Sequence, residues 1–387
     1  NYLKYLGTSD LTADELAMKW YSMACSFDVT VQDERIYVTV SGLQESFADA
    51  VALTEKILAD PKPDQTALNN FVSDVIKGRN DLKKNKQYLF NAALRNYGMF
   101  EGQNPITDLI PEAELKNTKA EDLVAKIKNL TQYQHRILYY GPAEQAELSK
   151  LLEANHKVPA TFKPLPAPTE YKRRETNQKV VYMLNFPGMV QAEILWLHKG
   201  PAFDKTQMPV AQFFNEYFGG GMSSLVFQTI RESKALAYST YARYLIPQKK
   251  EVPFYNIAYI GTQSDKLKEA ISAMNELLNQ MPSEEKNFGL AKDAIRNSIA
   301  TERIIRDNIL WSYDNMLSLG YDYDNRKDVY AKSASVKLAD IEAFSKNMIQ
   351  GKPHILLVMG DQTKLDMEVL KSYGEVKMVT MEEILGY

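Results

Sequence analysis

The feature that most constrains the fold is an internal repeat, because similar motifs recur along the chain at one spacing of 219 residues. Gly42-Leu43-Gln44 and Gly261-Thr262-Gln263 each precede a helical pattern, and they are separated by this spacing. The segments HRILYYG at 135–141 and HILLVMG at 354–360 are separated by it as well. A fixed period is typical of duplicated structural units, so we predict two copies of one unit about 220 residues long.

The two copies are not equally complete. The second copy begins near Lys179 with apolar strand patterns at 180–184 and 191–197, followed by a helical pattern at 204–217. Equivalent segments of the first copy would precede residue 1. We therefore expect that the first copy lacks its N-terminal strands and that the chain is the C-terminal part of a longer protein. The predicted domains are a truncated copy at 1–160, a proline-rich linker at 161–178 and a complete copy at 179–387.

Hydrophobic periodicity predicts helices and strands in the same order in both copies. In the first copy it predicts a hairpin of strands 27–31 and 36–40, turning at Gln32-Asp33-Glu34, and a strand at 135–140. In the second copy it predicts a hairpin within 238–259 and a strand at 353–359. Helices mixed with antiparallel hairpins predict an α+β fold, in which helices pack on one face of an antiparallel-rich sheet. The predicted helices are 11–24, 44–58, 64–88, 89–96 and 119–129 in the first copy, and 265–279, 284–305, 308–318 and 337–349 in the second.

Composition excludes several classes of function. Apolar residues make up 45% of the chain and charged residues 25%, as in an ordinary globular protein, and the net charge of −3 predicts no nucleic-acid partner. No apolar run approaches the roughly 18 residues of a membrane helix, so we expect a soluble protein without membrane insertion, of the periplasm or the cytoplasm. Cys25 is the single cysteine, and we expect it to be a buried, inert thiol. The basic run Lys172-Arg173-Arg174 is expected to be a solvated part of the linker.

The stretch from Phe218 to Tyr244 carries the most specific motif. Three consecutive glycines, Gly219, Gly220 and Gly221, precede a helical pattern, which is followed by an extended pattern at 237–241. The residues GGGMSS, FQ, RE and LAY stand at fixed offsets within it. This stretch resembles the non-catalytic C-terminal domains of the pitrilysin/insulinase family of zinc metallopeptidases, the inverzincins, whose pattern is close to GGGMSSxLFQxxREKxxLAY. The resemblance implies two tandem insulinase-like domains.

The zinc chemistry of that family is missing from this chain. A zincin site needs two histidines four residues apart on a helix, with a glutamate as general base. The chain has four histidines, and no two are four apart; His135 and His354 are expected to be structural residues at strand starts. By the resemblance, the second histidine of HxxEH falls on Tyr2 and the distal zinc ligand falls close to Asp74. The resemblance therefore implies no catalytic residue, metal or cofactor in this chain, with zinc in a separate catalytic half.

Arg231 and Tyr238 are the candidate substrate-binding residues. In peptidases of this family the matching arginine and tyrosine reach the peptide bound beside the zinc, and the resemblance implies the same for this pair. Arginine offers five donors in a rigid fork, and a tyrosine hydroxyl can stabilise a developing oxyanion. An arginine at a helix C-terminus and a half-buried strand tyrosine remain the structural alternative. The glycines at 219–221 can let a peptide pass close to the backbone, or simply allow a tight bend between helices.

The resemblance implies the non-catalytic half of a zinc-dependent metalloendopeptidase, which closes the chamber and binds peptide substrate. Its partner would be the catalytic insulinase-like half, in the same precursor or on a partner chain, and this chain alone is expected to be inactive. One alternative is an inactive structural or assembly protein, because the core proteins of the mitochondrial cytochrome reductase complex also resemble this family. Another alternative is a free-standing peptide-binding module.

Overall fold

The computed structural model describes residues 1–32 and 34–387, which form two compact units. Unit 1 comprises Asn1–Lys84 and Ile110–Glu170, and unit 2 comprises Asn85–Leu109 and Tyr171–Tyr387. These units differ from the domain boundaries that we predict, because the segment Asn85–Leu109 packs within unit 2 rather than unit 1. Asp33, at the centre of the predicted hairpin turn, lies outside the described residues.

Unit 1 contains helices and one antiparallel hairpin. Its strands are β1 (Ser26–Gln32) and β2 (Arg35–Ser41), which confirm the predicted hairpin. Helices pack against one side of this hairpin and bury an apolar core that includes Trp20, Leu53 and Leu68. The α-helices are Ala13–Ser22, Phe47–Ala59, Gln65–Leu82, Glu112–Asn117, Ala120–Lys128 and Gln145–Asn155, and the 3₁₀ turns are Tyr2–Tyr5, Gln44–Ser46 and Leu130–Gln132.

The predicted strand at 135–140 is wrong. Residues 134–140 have no regular secondary structure, and Ile137 and Leu138 are exposed to solvent. Only Tyr133 forms an isolated bridge, with Lys163. A strand needs a neighbouring strand for its backbone hydrogen bonds, and β1 and β2 pair with each other among the described residues of unit 1. An apolar run without such a partner stays irregular.

Unit 2 is built on a six-stranded mixed sheet with the order β5-β6-β4-β7-β3-β8. The first four strands in this order pair antiparallel, whereas β3 pairs in parallel with both β7 and β8. Every residue of β7 is buried, as expected for a central strand with both faces covered. The prediction of an α+β fold is confirmed. The strands are β3 (Val180–Asn185), β4 (Gln191–Lys199), β5 (Ser239–Leu245), β6 (Tyr255–Gln263), β7 (Ile355–Gly360) and β8 (Glu375–Val379).

Helices cover both faces of this sheet, so the prediction that they pack on one face only is wrong. Alternate residues of β4 point to opposite faces, so Trp196 belongs to one apolar cluster and Leu197 to the other. The second cluster includes Phe90 and Leu94 from the segment Asn85–Leu109, which explains why this segment belongs to unit 2. The helical segments of unit 2 are Lys86–Tyr88, Leu89–Leu94, Arg95–Met99, Lys205–Gln207, Met208–Asn215, Glu216–Gly220, Phe227–Ser233, Ser264–Lys266, Leu267–Asn279, Glu285–Thr301, Asn308–Ser318, Arg326–Lys332, Leu338–Met348, Met367–Tyr373 and Met381–Leu385.

The basic run at 172–174 is not simply a solvated linker. The Arg174 guanidinium donates to the backbone carbonyls of Tyr97 (3.1 Å) and Phe100 (2.8 Å) and to the Tyr182 hydroxyl (3.0 Å). It also lies over the rings of Tyr97 and Tyr182. The last carbonyls of a helix lack intrahelical partners, and an arginine can satisfy them. Arg174 therefore ties the end of the helix Arg95–Met99 to the sheet.

Among the described residues, no helix combines the length and the apolar character that a membrane span requires.

Candidate functional site

The segment that carries Arg231 and Tyr238 is a helix, a tight reversal and the start of an edge strand. Leu225, Val226 and Ile230 are fully buried and anchor the helix, which continues as the π-helical segment Phe227–Ser233. Ala235 then takes a left-handed backbone conformation with φ 48°. Such a conformation is uncommon for alanine, and it lets the chain turn sharply into β5.

Backbone contacts hold this reversal in place on both sides. The N–H of Leu236 donates to the carbonyl of Ile230 (2.9 Å), and the carbonyl of Leu236 accepts from the Thr262 hydroxyl (2.6 Å). The N–H of Tyr238 donates to the carbonyl of Gly261 (3.2 Å), which fixes the tyrosine against strand β6. The side chains of Arg231 and Tyr238 therefore project from a well-supported backbone.

The structure brings Arg231 and Tyr238 together. The centre of the Arg231 guanidinium lies 5.8 Å from the centroid of the Tyr238 ring and 4.9 Å from that of Phe227. Its Nε lies 3.8 Å from the Glu232 carboxylate, a weak contact because both side chains are solvated. The side chain of Tyr238 is 79% exposed, and none of the described residues hydrogen-bonds its hydroxyl. An aromatic ring this exposed, beside a cation, is available to a ligand.

Both residues line one open depression with a cavity volume of about 360 Å³. Gln191 and Gln263, which are opposite each other in the β4–β6 ladder, form its floor with Gly261. Lys266 closes one side, and its ammonium donates to the carbonyl of Ala235 (3.1 Å). The depression thus offers cationic donors, amide groups and an aromatic face. These groups can contact the backbone and side chains of an extended peptide.

Gln191, Gln263 and Lys266 also line the depression, although no motif in the sequence marks them as site residues. Gln263 belongs to one of the repeated motifs, but that motif predicts a helix start rather than a binding group. The three residues join the depression only through the pairing of β4 with β6 and the helix that follows β6. No local pattern in the sequence marks this pairing.

The three glycines stand apart from this depression, since none of them lines it. Gly219 is buried, and a Cβ built on it would lie 2.2 Å from the carbonyl oxygen and 2.5 Å from the nitrogen of Ala242 in β5. Glycine is therefore required for the close approach of this helix end to the strand. Gly220 is exposed and Gly221 is partly buried. Peptide contact by these glycines stays a prediction.

The residues at the family's zinc positions have structural surroundings. Tyr2 is buried, and its hydroxyl donates to the carbonyl of Asp64 (2.7 Å). Asp74 is exposed on the helix Gln65–Leu82. Over residues 1–32 and 34–387, no group of three or more histidine, cysteine, aspartate and glutamate side chains is arranged to hold a metal ion.

Two of the histidines are buried in unit 2. The Nε2 of His354 lies 2.9 Å from the Asn256 side-chain nitrogen, and the Nδ1 of His198 lies 2.8 Å from the carbonyl of Pro353. Burial lowers the pKa of His354 to about 3 and lowers the pKa of His198 as well. Both rings are therefore neutral at physiological pH. His354 immediately precedes β7, so the predicted structural histidine at a strand start is confirmed there, whereas His135 precedes no strand.

Comparison with known proteins supports the resemblance found in the sequence. Residues 125–294 match the model of the peptidase M16 inactive domain. The Helicobacter pylori protein named non-peptidase homolog YmxG is 21% identical over 353 residues, which cover 88% of this chain and 78% of that protein.

Two solved structures show the same fold at low sequence identity. A peptidase M16 inactive domain from Pseudomonas fluorescens is 15% identical, with a TM-score of 0.63 over 93% of this chain and 86% of that one. The ferredoxin protease FusC, solved in complex with Arabidopsis ferredoxin, is 14% identical, with a TM-score of 0.69; the match covers 93% of this chain but only 39% of that one. The domain match and these neighbours therefore show that the chain is similar in sequence and fold to the peptidase M16 inactive domain, in agreement with the resemblance to the pitrilysin/insulinase family found in the sequence.

Proposed function

We propose that this chain is the non-catalytic half of a zinc-dependent metalloendopeptidase, which closes the chamber and binds peptide substrate. The observation that carries the proposal is the convergence of Arg231 and Tyr238 on one open depression. The rings of Phe227 and Tyr238 both lie close to the guanidinium, and these contacts help to order its planar donors. The Tyr238 hydroxyl is exposed and has no partner among the described residues.

In this proposal an extended peptide lies across the depression. Arg231 binds a carbonyl or carboxylate of the peptide through charge-assisted hydrogen bonds. The Tyr238 hydroxyl donates to the oxygen on which negative charge develops during hydrolysis. Gln191, Gln263 and Lys266 supply further polar contacts along the peptide. The glycines at 219–221 border the path of the peptide in this proposal, and Gly219 also packs closely against β5.

The catalytic half is the proposed partner, in the same precursor or on a second chain, and it supplies the HxxEH motif and the zinc ion. The inactive-domain match supports this division of labour. FusC, by its name a protease of ferredoxin, contains a region of this fold within a longer chain. For the present chain, the substrate class that the depression favours is an extended polypeptide segment.

We also propose that the chain contains two copies of one insulinase-like unit, the first of them incomplete. Helices in the two halves support this proposal because they recur close to the 219-residue spacing. Phe47–Ala59 corresponds to Leu267–Asn279, and Gln65–Leu82 corresponds to Glu285–Thr301. The correspondence is tested by aligning the two halves on these two helix pairs. The helix Ala120–Lys128 should then superpose on the helix Leu338–Met348.

The peptidase proposal is tested by turnover in the protease reconstituted with a catalytic half. We expect Arg231→Ala and Tyr238→Phe each to lower kcat by about 10²–10³, as loss of an oxyanion donor does. Their melting temperatures should stay unchanged because both side chains are exposed. Arg303→Ala and Tyr21→Phe are matched controls, since both residues are exposed and neither lines the depression. Unchanged turnover with lowered melting temperatures would show that the pair serves the fold.

A scaffold role is the second candidate, and one observation favours it. The Helicobacter pylori relative, which covers 88% of this chain, is named a non-peptidase homolog. A scaffold needs no functional Arg231 or Tyr238. The scaffold proposal therefore gains if both variants reconstitute full turnover, or if no catalytic half forms a complex with this chain.

A further inference from the structure

Three side chains of unit 1 converge at a place that the proposed peptide site does not use. Glu55 lies on the helix Phe47–Ala59, and His156 caps the C-terminus of the helix Gln145–Asn155. His135 follows the short bridge that Tyr133 makes with Lys163. The Nε2 atoms of His135 and His156 lie 2.7 Å apart, and their rings meet edge to face. Three separate segments thus bring two imidazoles into direct contact.

The other nitrogen of each ring has an oxygen partner. The Nδ1 of His156 lies 2.7 Å from the Glu55 carboxylate, and the Nδ1 of His135 lies 2.7 Å from the carbonyl of Tyr133. A carboxylate and a carbonyl oxygen can only accept hydrogen bonds, so each Nδ1 carries the hydrogen. In a neutral imidazole of this tautomer, Nε2 is an acceptor with a lone pair. The two facing Nε2 atoms therefore repel each other unless a cation bridges them.

The surroundings favour positive charge at this position. The Glu55 carboxylate is only 22% exposed, so its field is weakly screened. His156 stands at the C-terminus of a helix, where the helix dipole attracts cations. The ring of Phe162 packs edge-on against His135, with centroids 5.8 Å apart, and limits its rotation. A histidine whose second nitrogen donates to a carboxylate or a carbonyl is also the usual form of a metal-bound histidine.

We propose that His135 and His156 bind a divalent late first-row transition-metal ion through their Nε2 atoms, and that Glu55 positions His156. Neutral imidazole suits Cu²⁺, Ni²⁺ and Zn²⁺. Metal–nitrogen bonds of about 2.0–2.1 Å in tetrahedral geometry place the two nitrogens about 3.3 Å apart. The rings must therefore separate by only about 0.6 Å from the observed contact. This site revises the expectation that the chain holds no metal, and it is separate from the catalytic zinc expected in the other half.

Two protein ligands leave coordination positions for water or for a group brought by a substrate or partner. The Irving–Williams order predicts that Cu²⁺ binds more tightly than Ni²⁺ or Zn²⁺.

The test is a Cu²⁺ and Zn²⁺ titration of the full chain without a histidine tag, by calorimetry at neutral pH. We expect one ion per chain, and Cu²⁺ electron paramagnetic resonance should show two equivalent nitrogen ligands. His135→Gln should abolish this stoichiometric binding, as should His156→Gln. Glu55→Gln should weaken it by about 10–100-fold, because second-sphere partners contribute this much to metal affinity. Glu147→Gln is the matched control, because Glu147 is exposed on the helix Gln145–Asn155 and the substitution removes one negative charge, as Glu55→Gln does. This variant should leave binding unchanged.

Circular dichroism and melting curves establish that each variant is folded. His135 is exposed, so His135→Gln should stay folded and can decide the test even if His156→Gln unfolds. Stoichiometric binding that persists in folded His135→Gln would overturn the proposal. A second result would also overturn the proposal: ring NMR resonances of His135 and His156 that change with pH but not with excess Cu²⁺, Ni²⁺ or Zn²⁺. In that case a proton alone bridges the rings.

Discussion

At the scale of single residues, burial keeps the two histidines of unit 2 neutral. His354 is 5% exposed, its ring nitrogen faces the Asn256 amide, and the ring of His198 lies 5.6 Å away between centroids. Burial is the largest cause of its depressed pKa, and the neighbouring His198 adds to it. The two histidines of unit 1 are less buried; His156 contacts the Glu55 carboxylate, and His135 contacts the backbone carbonyl of Tyr133. The same residue type therefore supports the core in unit 2 and offers a ligand pair in unit 1.

Unit 2 should lose stability in acid because of His354. Its pKa is about 3 in the folded protein and about 6.5 when unfolded, so only the unfolded state binds the proton between these values. The stability that neutral His354 gives to the folded state is fully present above pH 6.5. Below pH 6.5 the free energy of unfolding falls by about 1.4 kcal/mol per pH unit. Between about pH 7 and pH 5 we expect wild-type unit 2 to lose about 2 kcal/mol more unfolding free energy than His354→Gln. Urea unfolding curves at both pH values measure this, and equal losses in the two proteins would contradict it.

At the scale of elements, the contact between the helix end at Gly219 and strand β5 depends on a missing side chain. A Cβ at this position would overlap the backbone of Ala242, which cannot move without distorting the strand. Asn215 also exchanges hydrogen bonds with the backbone of Tyr244, at 2.7 and 3.0 Å. These contacts cover the outer edge of β5, so this edge strand does not present a long open ladder.

Replacement of Gly219 by alanine should therefore destabilise unit 2 by about 1–3 kcal/mol or more, as overpacking of a core does. Gly289→Ala is the matched control, because no atom lies within 4 Å of its added Cβ and the residue is inside the helix Glu285–Thr301. This control should stabilise the protein by about 0.5–1 kcal/mol. Chemical denaturation of both variants decides the matter, and equal effects would show that the contact with Ala242 can relax.

Elements with a strong periodic pattern were predictable from the sequence. The helix predicted at 308–318 is observed at Asn308–Ser318, and β3, β4, β5 and β7 begin within two residues of the predicted positions. The pattern at 135–140 resembled that of β7, but a strand also depends on a partner that no local pattern reports. β8 and the helix Gln145–Asn155 were not predicted.

For the site, the resemblance indicated Arg231 and Tyr238, which the structure places side by side. Lys266 joins them only through tertiary packing, which the sequence does not report.

At the scale of the whole molecule, the chain combines an inactive-domain fold with an open depression and no arrangement for catalytic zinc among its described residues. The proposed metal pair in unit 1 does not alter this conclusion. His135 and His156 are 21 residues apart and lack a nearby glutamate that is free to act as a general base, because Glu55 is engaged with His156.

We therefore expect that the chain alone does not hydrolyse a quenched fluorescent peptide, with or without added Zn²⁺. A catalytic half with an intact HxxEH motif should gain turnover when this chain is added, and chelation of zinc should remove that activity. A catalytic half whose HxxEH glutamate is replaced serves as the control and should stay inactive. Hydrolysis by the purified chain alone would contradict the division into two halves.

The strand order of unit 2 has a consequence for its synthesis on the ribosome. β3 lies between β7 and β8, although about 170 residues separate β3 from β7 in the sequence. When β3 to β6 have emerged, β3 still lacks both of its neighbouring strands, so its backbone groups have no ladder partners. Pairings between distant segments form slowly and leave apolar surface exposed meanwhile. A nascent chain that stops before residue 355 therefore cannot complete this sheet, so prematurely terminated products should be recognised by chaperones or proteases rather than accumulate.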